Sequence, residues 1–237
     1  MSGHSKWSTI KHKKAKEDAK RGKVFTKLIK EITVAARSGG DPAGNPRLRL
    51  LMDKAKEVNM PQDNMTRAIK KGTGELPGVS YEECMYEGYG PNGIAVIVDT
   101  LTDNKNRMAA EMRRLFTTHG GSLGETGSVG WMFEKLGVVR AEGTGINEDD
   151  LLEKLIDYDV KDIQTGEGWV AVFCDAKSLE KVKQTLAGTG LKIESAQLEW
   201  VAKSTTALPT DKSEKAYEFL SELDDHDDVR SVYTNLA

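Results

Sequence analysis

The stretch that decides the fold is YEECMYEGYGPNGIAVIVDTL, residues 81–101. It contains two strand-like runs, and the Pro-Asn-Gly between them is a hairpin signal. Residues 102–121, TDNKNRMAAEMRRLFTTHGG, have apolar residues at helical spacing, with Gly120 after the end of the pattern. A further strand is expected at SVGWMFEK, residues 128–135. The order over 81–135 is therefore β-β-α-β, which indicates an α+β fold.

The remainder of the chain after residue 135 contains a full set of elements and then an incomplete one. Residues 136–204 have the order β-α-β-β-α-β, which is typical of a ferredoxin-like sandwich with two helices on one face of an antiparallel sheet. Residues 205–237 supply only one helix and one strand, which make a poor domain alone. They would complete the β-β-α-β of 81–135. We therefore predict a discontinuous α+β domain, 81–135 plus 205–237, with a ferredoxin-like domain, 136–204, inserted in it.

The first third of the chain has a helical pattern. Three short amphipathic segments between residues 23 and 80 predict a three-helix domain. Asn45 is expected to cap the second helix, with Pro46 in its first turn. Residues 1–22 have almost no apolar periodicity and are expected to be a basic tail that a partner orders. The predicted fold class is α+β, a small N-terminal helical bundle followed by two ferredoxin-like α+β domains, one inserted in the other.

Charge is divided unevenly along the 237 residues. The net charge is −3, but residues 1–80 carry +10 and residues 81–237 carry −13. The first thirty residues alone carry +8. This asymmetry points to a polyanionic partner for the front of the chain. A solvated helical face without a partner is the alternative, and it is less suited to so high a density of positive charge.

Basic and aromatic residues of the front form a candidate nucleic-acid-binding site. Lys and Arg neutralise phosphates and release counterions. The Trp7 ring could stack on an unpaired base or wedge into a groove, or it could equally fold back onto the helical bundle. The candidate residues are Lys6, Trp7, Lys11, His12, Lys13, Lys14, Lys16, Lys20, Arg21, Lys23, Lys27, Lys30, Arg47 and Arg49. A lesser basic cluster in 107–114 is better interpreted as a solvated helix face.

No catalytic or metal-binding constellation is evident. The two cysteines, Cys84 and Cys174, are far apart in strand-like runs and suit core positions in a reducing compartment. The glycine-rich stretch 119–130 follows a helix, whereas a phosphate cradle precedes one, so it is interpreted as a connection. The run DDHDD, 224–228, lacks the EF-hand spacing and is interpreted as a solvated acidic loop. We expect no enzyme activity, no cofactor and no metal.

No membrane partner is expected either. No secretory signal and no apolar run long enough to span a membrane are found in the sequence. The protein is therefore expected to be cytoplasmic.

Two long blocks resemble the YebC family, often grouped with PmpR. They are GHSKWSTIKHKKAKEDAKRGKVFTKLIKEI, residues 3–32, and EGYGPNGIAVIVDTLTDNKNRMAAEMRRLFTTHGGSLGETGSVGWMF, residues 87–133. Asn92 departs from the family, which often has Gly there, and this affects only turn geometry. The resemblance implies a cytoplasmic protein with a helical N-terminal domain and two α+β domains, the last interleaved. Family members are commonly described as DNA-binding transcriptional regulators. The family, including mitochondrial relatives that are translational activators of cytochrome c oxidase, is also linked to ribosomes and translation.

The residues and the resemblance together predict a non-enzymatic nucleic-acid-binding regulator of gene expression. A DNA-binding transcriptional regulator is the main hypothesis, and a ribosome-associated translation factor that binds ribosomal RNA is the alternative. An enzyme or a protein-only adaptor is the third. Because nine of the ten cations in residues 1–30 are Lys, which lacks the guanidinium fork that reads guanine, backbone binding is expected. The acidic α+β domains are expected to contact proteins or to set the geometry.

Overall fold

The computed structural model describes residues 21–144 and 147–237. They divide into two compact units: Met1–Trp131 with Ser204–Ala237, described from residue 21 onward, and Met132–Lys203. Each unit has a four-stranded antiparallel sheet as well as helices, so the predicted α+β class is confirmed. The finer division of the chain into a separate helical domain, an interrupted domain and an inserted domain stays a prediction.

The described helices and strands follow one another without long gaps. In chain order they are α1 (Arg21–Ala35), α2 (Pro46–Glu57), α3 (Gln62–Gly72), β1 (Glu82–Tyr89), β2 (Ala95–Thr102), α4 (Lys105–Thr118), β3 (Ser122–Leu123), β4 (Phe133–Glu142), α5 (Glu148–Leu155), β5 (Val160–Gly166), β6 (Trp169–Cys174), α6 (Leu179–Gly188), β7 (Lys192–Ala202), α7 (Thr210–Asp224) and β8 (Val229–Thr234). In the described part of the chain, no helix is both long and apolar enough to cross a membrane.

Helices α1, α2 and α3 share one apolar core. Its buried members are Leu28, Ile32, Ala35, Ala36, Leu48, Leu51, Ala55, Met60, Met65 and Ala68. Apart from Ala36 and Met60, which follow α1 and α2, these residues recur three or four apart within each helix, so each helix turns one stripe inward. Gly72 ends α3 in close contact with α1: a Cβ atom there would lie 2.3 Å from the carbonyl oxygen of Thr33.

Asn45 joins the end of the first helical segment to the start of the second. Its side-chain oxygen accepts from the backbone N–H of Leu48 at 3.1 Å, which is an N-cap bond. Its amide nitrogen donates to the carbonyl oxygens of Ala35 and Gly39, each at 2.8 Å. The predicted cap is therefore confirmed, and the same buried side chain also satisfies the carbonyl group of the last residue of α1, Ala35, and that of Gly39.

The sheet of the first unit has the strand order β3-β1-β2-β8. Helices α4 and α7 contribute their apolar faces to one core with this sheet. At its centre, the rings of Phe116 and Phe219 lie 5.0 Å apart in an edge-to-face arrangement, which is a favoured aromatic geometry. The last strand, β8, pairs with β2 across more than a hundred residues of sequence.

The predicted hairpin between β1 and β2 is confirmed. The strands pair from Glu82 opposite Thr102 to Tyr89 opposite Ala95. In the turn, Asn92 has a φ of 60° and Gly93 a φ of 79°. Asn tolerates this left-handed conformation better than other residues that carry a Cβ, so Asn92 suits this position of the turn.

The prediction of a separate strand over 128–135 is wrong, since only Phe133–Lys135 are in a strand and that strand is β4. Gly130–Met132 forms a short 3-10 turn, and Phe133 begins β4 of the second unit. The third strand of the first sheet is instead the two-residue β3, paired with Gly88 and Tyr89 of β1. The physical reason is that the Glu87 carboxylate accepts the backbone N–H groups that a strand there would need, as described below.

The second unit has the strand order β5-β6-β4-β7 within a β-α-β-β-α-β chain order. All neighbouring strands are antiparallel, and α5 and α6 share a core with one face of the sheet. This is the predicted ferredoxin-like arrangement. Asn147 caps α5 by accepting from the N–H of Asp149 at 3.0 Å. Cys174 lies in the core, where burial raises the pKa of its thiol to about 11.

Candidate nucleic-acid interface

The fourteen candidate residues fall into three groups. Eight of them lie outside the described residues: Lys6, Trp7, Lys11, His12, Lys13, Lys14, Lys16 and Lys20. Arg21 begins α1, and its side chain is likewise outside the description. The five others, Lys23, Lys27, Lys30, Arg47 and Arg49, lie on α1 and α2.

Helix α1 turns two of its three described lysines toward the end of α7 and the loop that follows it. Lys23 is exposed. Lys27 donates to the carbonyl oxygen of Asp224 at 2.5 Å. Lys30 is buried, and its ammonium group donates to the Asp227 carbonyl oxygen at 3.0 Å and to the Asp228 carboxylate. Contrary to the expected extension of the basic patch, Lys30 is therefore not on the free surface, because its charge is paired inside the unit.

Asp228 is the centre of a buried network. Its second carboxylate oxygen accepts from Thr102 Oγ1 and from Arg107 Nη2, each at 2.8 Å. Burial acts to raise the pKa of this carboxyl, but hydrogen bonds from Lys30, Arg107 and Thr102 outweigh it and the net pKa lies below its usual value. The interpretation of 224–228 as a solvated loop is correct for the exposed Asp227 and wrong for Asp228.

A cleft of about 460 Å³ opens beside this network. His226 lies in it, and the ring accepts from the Asp228 N–H at Nδ1 and contacts Glu111 through Nε2 at 2.8 Å. Five carboxyl-bearing side chains line the cleft, against three Lys or Arg side chains; the carboxylates are Asp103, Glu111, Asp225, Asp227 and Asp228. This excess of negative charge disfavours a phosphate backbone there.

Within residues 21–144 and 147–237, no group of side chains is suited to hold a metal ion.

Arg47 and Arg49 are both exposed, and Arg47 also forms an ion pair with the sheet. The guanidinium of Arg47 lies 2.8 Å from Glu83 Oε1, and Arg230 lies 3.0 Å from the same oxygen. The hydrogen bond from Arg47 is the largest cause that lowers the pKa of Glu83. Half of the Arg47 side chain is nevertheless accessible, so it can contact a further anion from the outside.

Helix α3 presents a basic face that the sequence analysis missed. Arg67, Lys70 and Lys71 are all exposed, whereas Met65 and Ala68 are buried on the opposite side. The signal was present in the sequence, since basic residues three and four apart share one helix face. Residues 21–80 carry twelve Lys and Arg against six Asp and Glu, so the helical region keeps a positive surface even though Lys30 is buried.

The end of the glycine-rich stretch 119–130 surrounds a carboxylate of the protein itself. The buried Glu87 carboxylate accepts from the N–H of Gly127 at 2.9 Å, of Val129 at 3.0 Å and of Gly130 at 2.6 Å. Burial acts to raise the pKa of Glu87, but these three backbone donors outweigh it and lower the pKa. An internal anion thus occupies the donors, and the interpretation of this stretch as a connection is supported.

Comparison with known proteins places the whole chain in one family. Residues 5–75 match the model of the TACO1/YebC protein N-terminal domain, and residues 81–236 match that of the TACO1/YebC second and third domain. A protein of Desulfosudis oleivorans named "Probable transcriptional regulatory protein" is 51% identical, over 100% of this chain and 97% of its own. A protein of Chlorobaculum tepidum that carries the same description is 50% identical, over 100% and 95%.

A crystal structure gives the same result for the fold. A conserved hypothetical protein of Aquifex aeolicus superposes with a TM-score of 0.83 and 44% identity, over 94% of this chain and 93% of that one. The chain therefore belongs to the TACO1/YebC family.

Proposed function

We propose that this protein is a non-enzymatic, cytoplasmic regulator of gene expression that binds nucleic acid, and that it acts as a DNA-binding transcriptional regulator. The observation that carries the proposal is the charge of +8 within residues 1–30, followed by the basic helical region. The name of the relatives, "Probable transcriptional regulatory protein", agrees with it. Phosphate contacts from Lys and Arg would supply most of the affinity and make it strongly dependent on salt.

Among the described residues, the helix pair α2–α3 is the part best suited to bind in a groove of nucleic acid. Four residues, 58–61, separate the two helices, as is usual in helix-turn-helix units. Arg67 and Lys70 project from the outer face of α3, away from the core. A helix with such a face can lie along a groove while its cations contact the phosphates on either side.

A ribosome-associated translation factor is the second candidate. It is favoured by the composition of residues 1–30, in which nine of ten cations are Lys. Lysine supplies a point charge without the fork that recognises guanine, so the front would bind a phosphate backbone with little reading of sequence. Ribosomal RNA offers such a backbone at least as well as a promoter does.

The experiment that separates the two is crosslinking by ultraviolet light in cells, followed by sequencing of the attached nucleic acid. Enrichment at a few promoters supports the transcriptional regulator. Enrichment at one region of ribosomal RNA contradicts that role and supports the translation factor. Absence of nucleic acid above a non-crosslinked sample would refute both.

Two triple charge-reversal variants test whether the basic residues of the front make the contacts with nucleic acid. Lys11, Lys13 and Lys14 changed together to Glu should reduce crosslinking broadly across sequences and flatten the salt dependence of binding by roughly one unit per lost phosphate contact. The matched control changes Lys161, Lys177 and Lys181, which are exposed in the second unit, to Glu. If both triple variants lose binding equally, total charge rather than the front explains the affinity.

A further inference from the structure

Helix α5 exposes an apolar stripe on its outer side. Leu152 is 46% exposed, and Ile156, in the 3-10 turn Ile156–Tyr158 that continues the helix, is 79% exposed. Among the described large apolar side chains Ile156 is the most exposed. On the other side of the same helix, Leu151 and Leu155 are buried and pack into the core. Leu152 and Ile156 are therefore not part of the core of this unit.

Acidic side chains flank this stripe at helical spacing. Asp149, Leu152, Glu153 and Ile156 follow the i, i+3, i+4, i+7 pattern, so they are neighbours on one face, and all four are exposed. Lys154 lies two residues from both Leu152 and Ile156, which directs it to another side of the helix. This set of four residues, the α5 face, thus alternates carboxylate and aliphatic groups with no cation among them.

We propose that the α5 face is a docking surface for a basic segment of another protein. The apolar residues of that segment would cover Leu152 and Ile156, and its Lys or Arg side chains would pair with Asp149 and Glu153. Charge complementarity selects this partner, because an acidic or neutral apolar segment would leave the two carboxylates unpaired at the edge of the contact. A symmetric dimer through this face would set like charges opposite one another, which disfavours a second copy as the occupant.

The size of the α5 face determines the kind of binding. Four side chains bury far less than the roughly 1,200 Å² of a stable complex, so the contact is weak and transient. Ion pairs at its exposed rim make it sensitive to salt, since the Debye length falls from about 10 Å at 0.1 M salt to about 3 Å at 1 M. The inference does not depend on nucleic-acid binding, because the lysines of residues 1–30 play no part in it.

The test places a photoreactive amino acid, p-benzoylphenylalanine, at position 156 of the full chain in living cells. After illumination, mass spectrometry identifies the crosslinked peptide. We expect peptides in which Lys and Arg outnumber Asp and Glu, from a protein other than this one. With Asp149→Lys and Glu153→Lys added, their yield should fall about tenfold or more, because like charges then face each other.

The matched control carries Glu167→Lys and Glu180→Lys, which make the same charge change at exposed positions of the same unit and should leave the yield unchanged. Thermal unfolding of the purified variants checks that each is folded, since substitutions at exposed positions should leave a single cooperative transition close to that of the wild type. Crosslinks to acidic or neutral peptides, crosslinks to residues 1–20 of this chain, equal loss in both double variants, or no crosslink at all would each overturn the proposal.

Discussion

Lys30 and Asp228 are 198 positions apart in the sequence, and their side chains form a buried ion pair between α1 and the residue that precedes β8. Arg107 of α4 and Thr102 of β2 donate to the other oxygen of the same carboxylate. One carboxylate therefore connects the helical region to the sheet and to the helix behind it. Because the charged groups are inside, solvent screens their interaction less than it screens a surface pair.

Removing the cation of this pair should destabilise the first unit. In Lys30→Met the stem can stay packed, but Asp228 loses a charged donor while Arg107 and Thr102 remain. We expect the free energy of unfolding to fall by about 1.5–3 kcal/mol, the usual range for a hydrogen bond to a charged group. Urea denaturation followed by circular dichroism measures it.

The control for this variant is Lys23→Met, an exposed lysine on the same helix, which should change stability by about 0.5 kcal/mol or less. A double-mutant cycle with Asp228→Asn isolates the pair. A coupling energy near zero would mean that the ion pair contributes nothing and that any loss in Lys30→Met comes from the other bond of the ammonium group, to the Asp227 carbonyl oxygen.

The Glu87 carboxylate should determine whether residues 127–130 stay ordered. In Glu87→Gln one oxygen becomes an NH₂ group, which cannot accept from a backbone N–H, so at least one of the three donors loses its partner. An unsatisfied buried group costs about 1–3 kcal/mol. Hydrogen exchange should accelerate at the amides of Gly127, Val129 and Gly130, and not in Glu125→Gln, whose side chain is exposed in the same loop. Unchanged protection in Glu87→Gln would refute the role.

Stability should fall in acid because of these same two carboxyls. Glu87 and Asp228 both have pKa values below those of the unfolded chain. Such a group stabilises the folded state above its unfolded pKa, about 4, and this contribution is lost as the pH falls through the lower folded value. The free energy of unfolding should therefore drop from about pH 4 downward. Glu87→Gln should show a shallower drop over that range, and a parallel curve would contradict the assignment.

Asn45 should tolerate no common replacement, because it both accepts and donates. Asn45→Ser keeps a cap for the Leu48 N–H but loses the donations to Ala35 and Gly39. Asn45→Ala loses all three bonds, of which the cap alone is worth about 1 kcal/mol. Melting temperatures should rank wild type above Ser and Ser above Ala. If Ser equals the wild type, the two donations contribute nothing measurable.

Local signals predicted much of the fold. Apolar spacing predicted α1 to α4, and Asn45 with Pro46 marked the start of α2. The Pro-Asn-Gly turn marked the β1–β2 hairpin. In each case the residues that specify the element lie within it, so reading one segment at a time suffices.

The errors arose where a distant residue decides the local structure. Residues 128–135 have a strand-like pattern, but Glu87, forty residues earlier, accepts the N–H groups of Val129 and Gly130. From the sequence, Lys30 resembles the exposed lysines near it. Its burial is explained by the ion pair with Asp228. The two-residue strand β3 is too short for any periodic signal. Arg67 and Lys70 differ from these, since their helical spacing was visible and was overlooked.

Gly72 offers a test of how closely α3 packs on α1. A Cβ atom there would lie 2.3 Å from the Thr33 carbonyl oxygen and 2.7 Å from the Ala36 Cβ atom, and backbone on one side cannot yield as a flexible side chain would. Gly72→Ala should therefore destabilise the helical region by about 1–3 kcal/mol, as overpacking does. Gly22→Ala is the matched control, because nothing lies within 4 Å of its added methyl group. Alanine is the better helix former by up to about 1 kcal/mol, so that control should gain stability while Gly72→Ala loses it, and a gain in both would show that α3 can shift away from α1.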